Sequence, residues 1–290
     1  MPLRPALERT THRVVIRRRL PSPFGGARIY ASSEGGLRYL GPRMANVDPA
    51  LLRLAAEMVR PGDTVWDIGA NLGLFSFAAA VMAGPAGHVL AVEPDTVLVR
   101  LLRRSAAVNR GHAPVEVLPA AVAGGLSVAR FHIARRNRST NHLDGFGTSQ
   151  TGGTRATELV PTVTLDWLAA QFRAPDVIKI DVEQAEVAVL SGASSVLRAA
   201  LPTIVCEVAG GNAAAVRDLL TAHGYTLYDG DQPSAERVPT AEAAPTTLAV
   251  SGSRRRAARI RRNPPGPIRG WDRALRTSAA TADTGRRPIW

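Results

Sequence analysis

The sequence predicts an α/β protein with a doubly wound, mostly parallel seven-stranded sheet and helices on both faces. Three observations support this fold class: strand-like and helix-like segments alternate between residues 46 and 250, the first strand-like run breaks into a Gly-containing turn at 64–73, and the second ends in a carboxylate at 91–95. Strands connected through helices run parallel within one sheet. Because the final two strands have no helix between them, we expect the last strand to be antiparallel.

The segment before this alternation, residues 1–45, is predicted to hold only short strands or irregular chain. Two strand-like runs, at 13–16 and 28–31, flank a turn rich in Pro and Gly. The first helix then begins at Asp48 and Pro49, because an Asp side chain can accept from the free N–H groups of the first turn and Pro is favoured at the first helical position.

The remaining elements follow in order along the chain. Strands are predicted at 65–68, 88–92, 115–118, 127–134, 177–180, 203–208, 225–228 and 247–250, and helices at 72–82, 96–109, 186–199 and 213–222. The strand at 127–134 is an addition to the sheet pattern. The segment 135–157 is polar and Gly-rich and is predicted to be a long loop.

Composition places the chain among water-soluble globular proteins. Its 290 residues are 45% apolar with a mean hydropathy of −0.02, and no apolar run approaches the roughly 18 residues that cross a bilayer. No apolar segment follows Arg17–Arg19, so the sequence predicts no signal peptide and we expect a cytoplasmic protein. The single cysteine, Cys206, excludes an intramolecular disulfide and lies in an apolar run that predicts burial.

The net charge of +12 is concentrated at the two ends of the chain. Residues 251–290 contain eleven Arg and two Asp, residues 1–30 contain seven Arg and one Glu, and the part between them carries a net charge of −3. The Arg- and Pro-rich segment 251–290 has too few apolar residues to offset the entropy of ordering, so it is predicted to be a disordered tail. The functional domain is therefore predicted at 46–250.

The turn after the first strand predicts a nucleoside site. In an open parallel sheet, ligands bind at the carboxyl ends of the strands where the winding reverses. Asp67 lies at that end, Gly69 lets the backbone approach a ligand, and Gly73 lets the next helix pack close to the strand. The pattern differs from that of a dinucleotide fold, and the carboxylate of Asp67 would repel a phosphate and attract an ammonium group.

S-adenosylmethionine meets these requirements because it has an ammonium group, a carboxylate and an adenosine but no phosphate. We expect its ammonium to pair with Asp67, its carboxylate to use backbone amides of residues 69–73, and its ribose hydroxyls to donate to Glu93. The adenine is expected between apolar groups near the end of the third strand, at 118–121. The predicted cofactor-binding residues are Asp67, Gly69, Ala70, Asn71, Gly73, Glu93, Pro94 and Ala121.

The acids that follow the strand at 177–180 predict the catalytic side. Methyl transfer requires a group that aligns the acceptor and removes its proton. Asp181 and Glu183 are two residues apart and share a face in an extended chain, so both can point at the acceptor. They can act directly or by holding a divalent metal, and the sequence leaves both open. His142, in the long loop, is a further candidate base.

Two charged residues beside these acids are given structural roles. Glu186 fits the first turn of a helix, where its charge complements the helix dipole. Lys179 is the only lysine, and on a central strand its side chain must be partly buried, so we expect it to pair with a nearby acid. No Cys/His spacing indicates zinc.

These segments together resemble the FkbM family of S-adenosylmethionine-dependent methyltransferases. The matching pieces are Trp-Asp-Ile-Gly-Ala-Asn-Leu-Gly at 66–73, Ala-Val-Glu-Pro-Asp at 91–95, Ala-Val at 121–122, Val-Thr-Leu-Asp at 163–166 and Ile-Lys-Ile-Asp-Val-Glu-Gln-Ala-Glu at 178–186. The resemblance implies a Rossmann-like class I methyltransferase that methylates hydroxyls of sugars or natural products. It also implies that Asp67, Gly69, Asn71, Gly73 and Glu93 contact the cofactor and that Asp181 and Glu183 face the acceptor.

One residue departs from the family pattern. Gln184 stands where the family usually has Gly, which would allow a positive φ or a close backbone approach. Either the turn is ordinary here or the acceptor pocket is altered.

The sequence is compatible with three functions. The favoured one is a methyltransferase with a small-molecule or glycan hydroxyl as acceptor. A nucleic-acid methyltransferase steered by the basic ends is the second, but no Asn/Asp-Pro-Pro-aromatic motif follows the fourth strand, and we do not expect nucleic acid as the partner. The third is a catalytically degenerate scaffold that binds cofactor or nothing, for which Gln184 is the main support. The sequence does not determine the acceptor, O- versus N-methylation or the oligomeric state.

Overall fold

The computed structural model describes residues 14–135, 138–147 and 153–252. Nearly all of the predicted disordered tail, and part of the predicted long loop, lie outside the described residues. The strands are β1 (Val15–Arg19), β2 (Arg28–Ser32), β3 (Thr64–Ile68), β4 (His88–Val92), β5 (Val115–Leu118), β6 (Ala121–Val122), β7 (Ser127–Ala134), β8 (His142–Leu143), β9 (Thr154–Val163), β10 (Val177–Ile180), β11 (Thr203–Glu207), β12 (Tyr225–Asp229), β13 (Pro239–Thr240) and β14 (Thr246–Ser251). The α-helices are α1 (Pro49–Met58), α2 (Leu74–Ala83), α3 (Thr96–Ala107), α4 (Leu165–Gln171), α5 (Glu186–Ser191) and α6 (Ala213–Ala222).

The main sheet has the strand order β13-β12-β14-β11-β10-β3-β4-β5. The strands β3, β4, β5, β10 and β11 run parallel, and β14 is antiparallel to both β11 and β12. The predicted α/β class and the antiparallel last strand are therefore observed. In the described part of the chain this sheet has eight strands rather than the predicted seven, because the two-residue β13 pairs with the edge of β12.

The winding of the main sheet reverses between β3 and β10. The chain proceeds from β3 outward through β4 and β5, and later continues on the opposite side through β10 and β11. The register places Asp67 beside Lys179 and Ile68 beside Ile180. The carboxyl ends of β3 and β10 thus meet at the position where open α/β sheets bind ligands.

Helices cover both faces of the main sheet because its central strands are apolar on both sides. Every residue of β3 is buried, and alternate residues point to opposite faces. Val65 packs in one hydrophobic cluster with α1, α2 and α3, and Trp66 packs in another with α4, α5 and α6. No described helix has the length and apolar character needed to span a membrane.

An N-terminal hairpin and the chain after it pack against the first half of the domain. The predicted short strands are observed as the antiparallel pair β1–β2. β2 is held by side chains of α3 and of the turn after it, since the backbone N–H of Tyr30 donates to Ser105 at 2.8 Å and that of Arg28 donates to Asn109 at 2.9 Å. Short 3₁₀ turns at Ser33–Gly35, Leu37–Leu40 and Met44–Asn46 then lead into α1, where Asp48 accepts from the backbone N–H of Leu51 as predicted.

A second, four-stranded sheet has the order β6-β9-β7-β8. The prediction of a loop at 135–157 is wrong at the two-residue β8 and again from Thr154 onward, where the ten-residue β9 begins. Its first half is largely polar and exposed, so it lacks the buried apolar alternation that identifies a strand. Pairing with β7, from Ser127 opposite Thr162 to Ala134 opposite Thr154, stabilises it instead.

The predicted helix at 186–199 is interrupted. α5 ends at Ser191, and a separate π-helical turn spans Val196–Ala200. The carboxylate of Asp166 accepts from the backbone N–H groups of Ser195 and Val196, both at 2.9 Å. This contact comes from a residue 29 positions earlier in the chain, which explains why the local helical pattern did not reveal the interruption.

Candidate active site

A cleft opens at the carboxyl ends of β3, β4 and β10, between the turn after β3 and the small sheet. It encloses about 590 Å³, including the part open to solvent, and small-molecule sites usually measure about 300–1,000 Å³. The predicted site residues that line it are Gly69, Asn71, Glu93, Pro94, Ala121, His142, Asp181 and Glu183. Leu98, Phe131 and Leu143 add apolar surface near Pro94 and Ala121, where the adenine is expected.

The turn after β3 requires glycine for two reasons. Gly69 has a φ of +73°, and a Cβ at this position would lie 1.8 Å from the carbonyl oxygen of Asp181. Gly73 has a φ of +84°, and a Cβ there would lie 2.7 Å from Leu102 and Phe77. Gly73 therefore allows close packing at the start of α2 and does not line the cleft. The predicted cofactor residue Ala70 instead lines a third cavity, which we call the adjoining hollow and which is also lined by Arg38, Tyr39, Asp48 and Glu207.

Asn71 provides an unpaired acceptor at the rim of the cleft. It adopts a φ of +52°, a left-handed conformation that Asn tolerates better than most residues. Its side-chain oxygen is buried and has no hydrogen-bond partner among the described residues. Since buried polar atoms are normally paired, this oxygen is available to a ligand.

Glu93 lies at the floor of the cleft with its carboxylate fixed by the backbone. One carboxylate oxygen accepts from the N–H of Asn71 and the other from the N–H of Asp95, each at 2.8 Å. Burial raises the pKa of Glu93 to about 7, although these two hydrogen bonds oppose the shift. Each oxygen has a further lone pair, so the carboxylate can still accept the two ribose hydroxyls of a nucleoside.

Asp67 does not line the cleft. The prediction that its carboxylate contacts the ammonium group of the cofactor directly is therefore wrong. Its side chain is 0% exposed and accepts from the hydroxyl of Ser76. The ammonium group beside it belongs to Lys179, whose Nζ lies 3.2 Å from Oδ1 of Asp67. Asp67 can therefore influence a ligand only through Lys179 and the turn that Lys179 contacts.

Lys179 links the cofactor turn to the catalytic acids. Its Nζ donates to the carbonyl oxygen of Gly69 at 2.8 Å and lies 3.4 Å from Oδ2 of Asp181. Burial opposes its charge, but the carboxylates of Asp67, Asp181 and Glu207 outweigh burial and raise the pKa of Lys179. The predicted pairing of Lys179 with an acid is confirmed, and the residue stays protonated.

Asp181 and Glu183 lie where the cleft meets a second cavity, which we call the acidic depression. The acids that line this depression are Asp48, Asp181, Glu183, Glu186, Glu207 and Asp231. Burial, followed by the charges of Asp181, Glu207 and Glu186, raises the pKa of Glu183 to about 8. The charge of Asp181 and burial raise the pKa of Glu207 to about 7.

Asp181 and Glu183 do lie together, but the prediction that an extended chain places them on one face is wrong. The chain is not extended between them, since Glu183 has a φ of +50° and Gln184 a φ of +76°. The turn is therefore left-handed and not the ordinary turn that Gln184 would favour. A family Gly at this position would adopt it without steric cost.

Glu186 and Asn212 hold this left-handed turn in place. One carboxylate oxygen of Glu186 accepts from the backbone N–H of Gln184 at 2.8 Å, and the other accepts from Asn212 at 2.6 Å. Asn212 also donates to the carbonyl oxygen of Gln184 at 2.9 Å. Glu186 is 2% exposed, so the structural role predicted for it fits its surroundings.

We expect Gln184→Gly to stabilise the protein by about 1 kcal/mol. A non-Gly residue is destabilised by about 1–2 kcal/mol in a left-handed conformation, and the larger loss of chain entropy when Gly folds offsets part of that gain. Thermal unfolding should show a melting temperature raised by about 2–4 °C. Gln171→Gly is the matched control at the exposed end of α4, where the same substitution should destabilise. A lower melting temperature for Gln184→Gly would contradict the assigned strain.

Sequence reasoning missed several residues around the acidic depression. Arg38 and Tyr39, on the second 3₁₀ turn after β2 (Leu37–Leu40), line the adjoining hollow together with Asp48 and Glu207. Tyr39 is 3% exposed, and burial raises its pKa to about 12, so it remains a hydroxyl donor. Glu207 could have been found, because it ends the strand next to β10. Arg38 and Tyr39 gave no signal, since their segment carries no recognisable motif.

His142 lies on the cofactor side of the cleft rather than in the acidic depression. It is 8% exposed, and its ring centroid lies 5.2 Å from that of His132. No group of three or more potential metal ligands occurs among the described residues.

The cleft lies where the winding of the sheet reverses, with a carboxylate after β4 and paired acids after β10, which is where open α/β proteins bind nucleosides. The model of the Methyltransferase FkbM domain matches residues 67–227. This is more than half of the chain, and the chain belongs to the FkbM family of S-adenosylmethionine-dependent methyltransferases.

Several known proteins resemble this chain. The 31-O-demethyl-FK506 methyltransferase FkbM of Streptomyces tacrolimicus is 28% identical over 246 residues, which cover 76% of this chain and 92% of that protein. A crystal structure of methyltransferase FkbM from Methylobacillus flagellatus is 16% identical with a TM-score of 0.41, over 69% of this chain and 52% of that one, so this chain spans about half of its length. The P. horikoshii TYW2 structure in complex with MeSAdo is 12% identical with a TM-score of 0.42, over 81% of this chain and 69% of that one.

Proposed function

We propose that this protein transfers a methyl group from S-adenosylmethionine to a hydroxyl of a small molecule, sugar or natural product. The observation that carries the proposal is the position of Asp181 and Glu183, which line both the cofactor cleft and the acidic depression. A bound acceptor in the depression would meet the cofactor at these two carboxylates. The relative from Streptomyces tacrolimicus, whose name assigns it to a 31-O position, is consistent with an oxygen acceptor.

The residues of the cleft fit the cofactor. Glu93 would accept the ribose hydroxyls, and the unpaired side-chain oxygen of Asn71 would accept from a donor of the ligand. The apolar side chains near Pro94 and Ala121 would flank the adenine. When bound, S-adenosylmethionine supplies an electrophilic methyl carbon on a positively charged sulfur.

The chain's own acids would prepare the acceptor. Glu183 would remove the hydroxyl proton, because a base with a pKa of about 8 is partly ionised at neutral pH and stronger than an ordinary carboxylate. Asp181 would orient the acceptor while its other side is held by Lys179. Arg38 and Tyr39 would contact the distal part of the acceptor from the adjoining hollow.

Methyl-transfer assays with tritium-labelled S-adenosylmethionine test this proposal. The full chain would be incubated with two pairs of acceptors that differ in one group, methyl glycosides against their deoxy analogues and cyclohexanol against cyclohexylamine. Bulk RNA would be tested separately. We expect label on the oxygen of at least one hydroxylated acceptor, with the methyl position assigned by NMR. Transfer confined to RNA or to the amine would contradict it, and binding of cofactor without any transfer would favour a scaffold.

A further inference from the structure

An ion network outside the family match reaches the cofactor cleft. Glu34, in the first 3₁₀ turn after β2 (Ser33–Gly35), precedes the matched residues 67–227. Its side chain is 12% exposed and accepts from Nε of Arg138 at 2.6 Å. Arg138 is 9% exposed and belongs to the chain between β7 and β8. Two parts of the molecule that are 104 positions apart are thus joined by a largely buried ion pair.

The network continues from Arg138 to the predicted ribose site. Nη1 of Arg138 donates to Oδ2 of Asp95 at 2.5 Å, and Asn141 donates to the same oxygen at 2.8 Å. The other oxygen of Asp95 caps α3 by accepting from Val97 at 2.8 Å. The backbone N–H of Asp95 donates to Glu93 at 2.8 Å. A change at Glu34 can therefore reach Glu93 through two intervening residues.

The same network forms one wall of the cleft. Arg138, Ser139, Asn141, His142 and Leu143 line it together with Gly69 and Asn71. Glu34 lines neither the cleft nor either of the two cavities beside it, so its effect on ligand binding is indirect. Arg138 connects Glu34 to the cleft, and Arg155 on β9 lies 3.9 Å from the other carboxylate oxygen of Glu34. Since Asp95 already pairs with Arg138, loss of Glu34 would leave the cation partly compensated but free to turn, and the wall would lose one of its contacts while Asp95 and the pairing of β8 with β7 remain.

We propose that Glu34 is a positioning residue of the cofactor site, which holds the wall formed by residues 138–143 against the adenosine end of the ligand. The inference rests on the proposed cofactor cleft. It assigns a binding role to the N-terminal segment, and it implies that the matched family domain alone binds cofactor weakly.

Calorimetric titration of the full chain with S-adenosylmethionine and with 5′-methylthioadenosine tests this role. The pair with Arg138 is already formed without ligand, so its loss weakens binding only as far as the wall leaves its binding position. If Glu34→Gln leaves the wall in place about one tenth of the time, both dissociation constants rise about tenfold. The ratio should be equal for the two ligands because the wall contacts the part they share. Stopped-flow measurements should assign most of the change to faster dissociation, and Glu34→Asp should retain part of the affinity.

Glu57→Gln is the matched control. Glu57 also forms a short ion pair from the N-terminal part of the chain, with Arg237 at 2.7 Å, and does not line the cleft. It should lower the melting temperature without changing either dissociation constant. Unchanged affinity in both Glu34 variants, whether or not they are less stable, would overturn the role of Glu34 and leave the proposed function intact. A wild-type chain that fails to bind S-adenosylmethionine would instead reject both.

Discussion

Replacement of Glu183 by Gln is expected to lower kcat by a factor of about 10²–10⁴, the usual contribution of a general base. Gln keeps the size and the turn but cannot accept the acceptor proton. The dissociation constant of S-adenosylmethionine should change less than twofold, because the ribose and adenine contacts are made by other residues. Steady-state kinetics with the best acceptor and a cofactor titration measure the two quantities separately. Glu236→Gln, on an exposed loop, is the control.

The pH dependence gives an independent check on Glu183. Its pKa of about 8 predicts that kcat rises with pH through this value in the wild type, because only the ionised carboxylate can take a proton. A raised carboxyl pKa also means that the folded state binds the proton more tightly, so wild-type stability should fall between about pH 4.5 and pH 8. In Glu183→Gln the rise in kcat should disappear and the fall in stability should become smaller, because Glu93 and Glu207, whose pKa values are raised to about 7, still contribute to that fall. Persistence of the rise in kcat would assign the base to another group.

The second large effect is expected from Glu93→Ala, which should weaken S-adenosylmethionine binding about 100-fold. This follows from the loss of two charge-assisted hydrogen bonds at about 1.5 kcal/mol each. In the wild type, the affinity for S-adenosylmethionine should fall as the pH drops through about 7, because protonation of Glu93 removes a hydrogen-bond acceptor for the ribose. Binding near pH 7 should also release a proton, which calorimetry in buffers of different ionisation enthalpy detects.

Glu116→Ala is the control for Glu93. Glu116 is a carboxylate on the neighbouring strand β5, 53% exposed and 3.4 Å from His88, and it does not line the cleft. Its replacement should leave cofactor affinity unchanged at every pH. A Glu93→Ala variant that binds S-adenosylmethionine as tightly as the wild type would show that the ribose lies elsewhere.

The central strands and their ends could be predicted because the information is local. Strand β4 and strand β5 have the predicted bounds, since short buried runs flanked by turns identify themselves. Glu93 and Gly69 could be placed at the cleft because their positions follow from the ends of two strands, whereas Gly73 does not line it. The alternation of strands and helices likewise predicted the switch point.

Long-range contacts account for what the sequence did not predict. β9 depends on pairing with β7, and the end of α5 depends on what Asp166 contacts further along the chain. The orientation of Asp67 could not be read from spacing, because Lys179 reaches it across neighbouring strands. The left-handed turn at Gln184 is stabilised by Asn212, and its residue type alone favoured a different geometry.

A crystal structure of the protein with S-adenosylhomocysteine tests the central claim most directly. The claim is that the carboxylate of Glu93 holds the ribose in the cleft beside Asn71, with Asp181 and Glu183 beyond the sulfur. We predict both ribose hydroxyls within hydrogen-bond distance of Glu93 and the adenine between Pro94 and Ala121. A ligand bound outside the cleft, or a Glu93 carboxylate that contacts only backbone N–H groups in the complex, would contradict it.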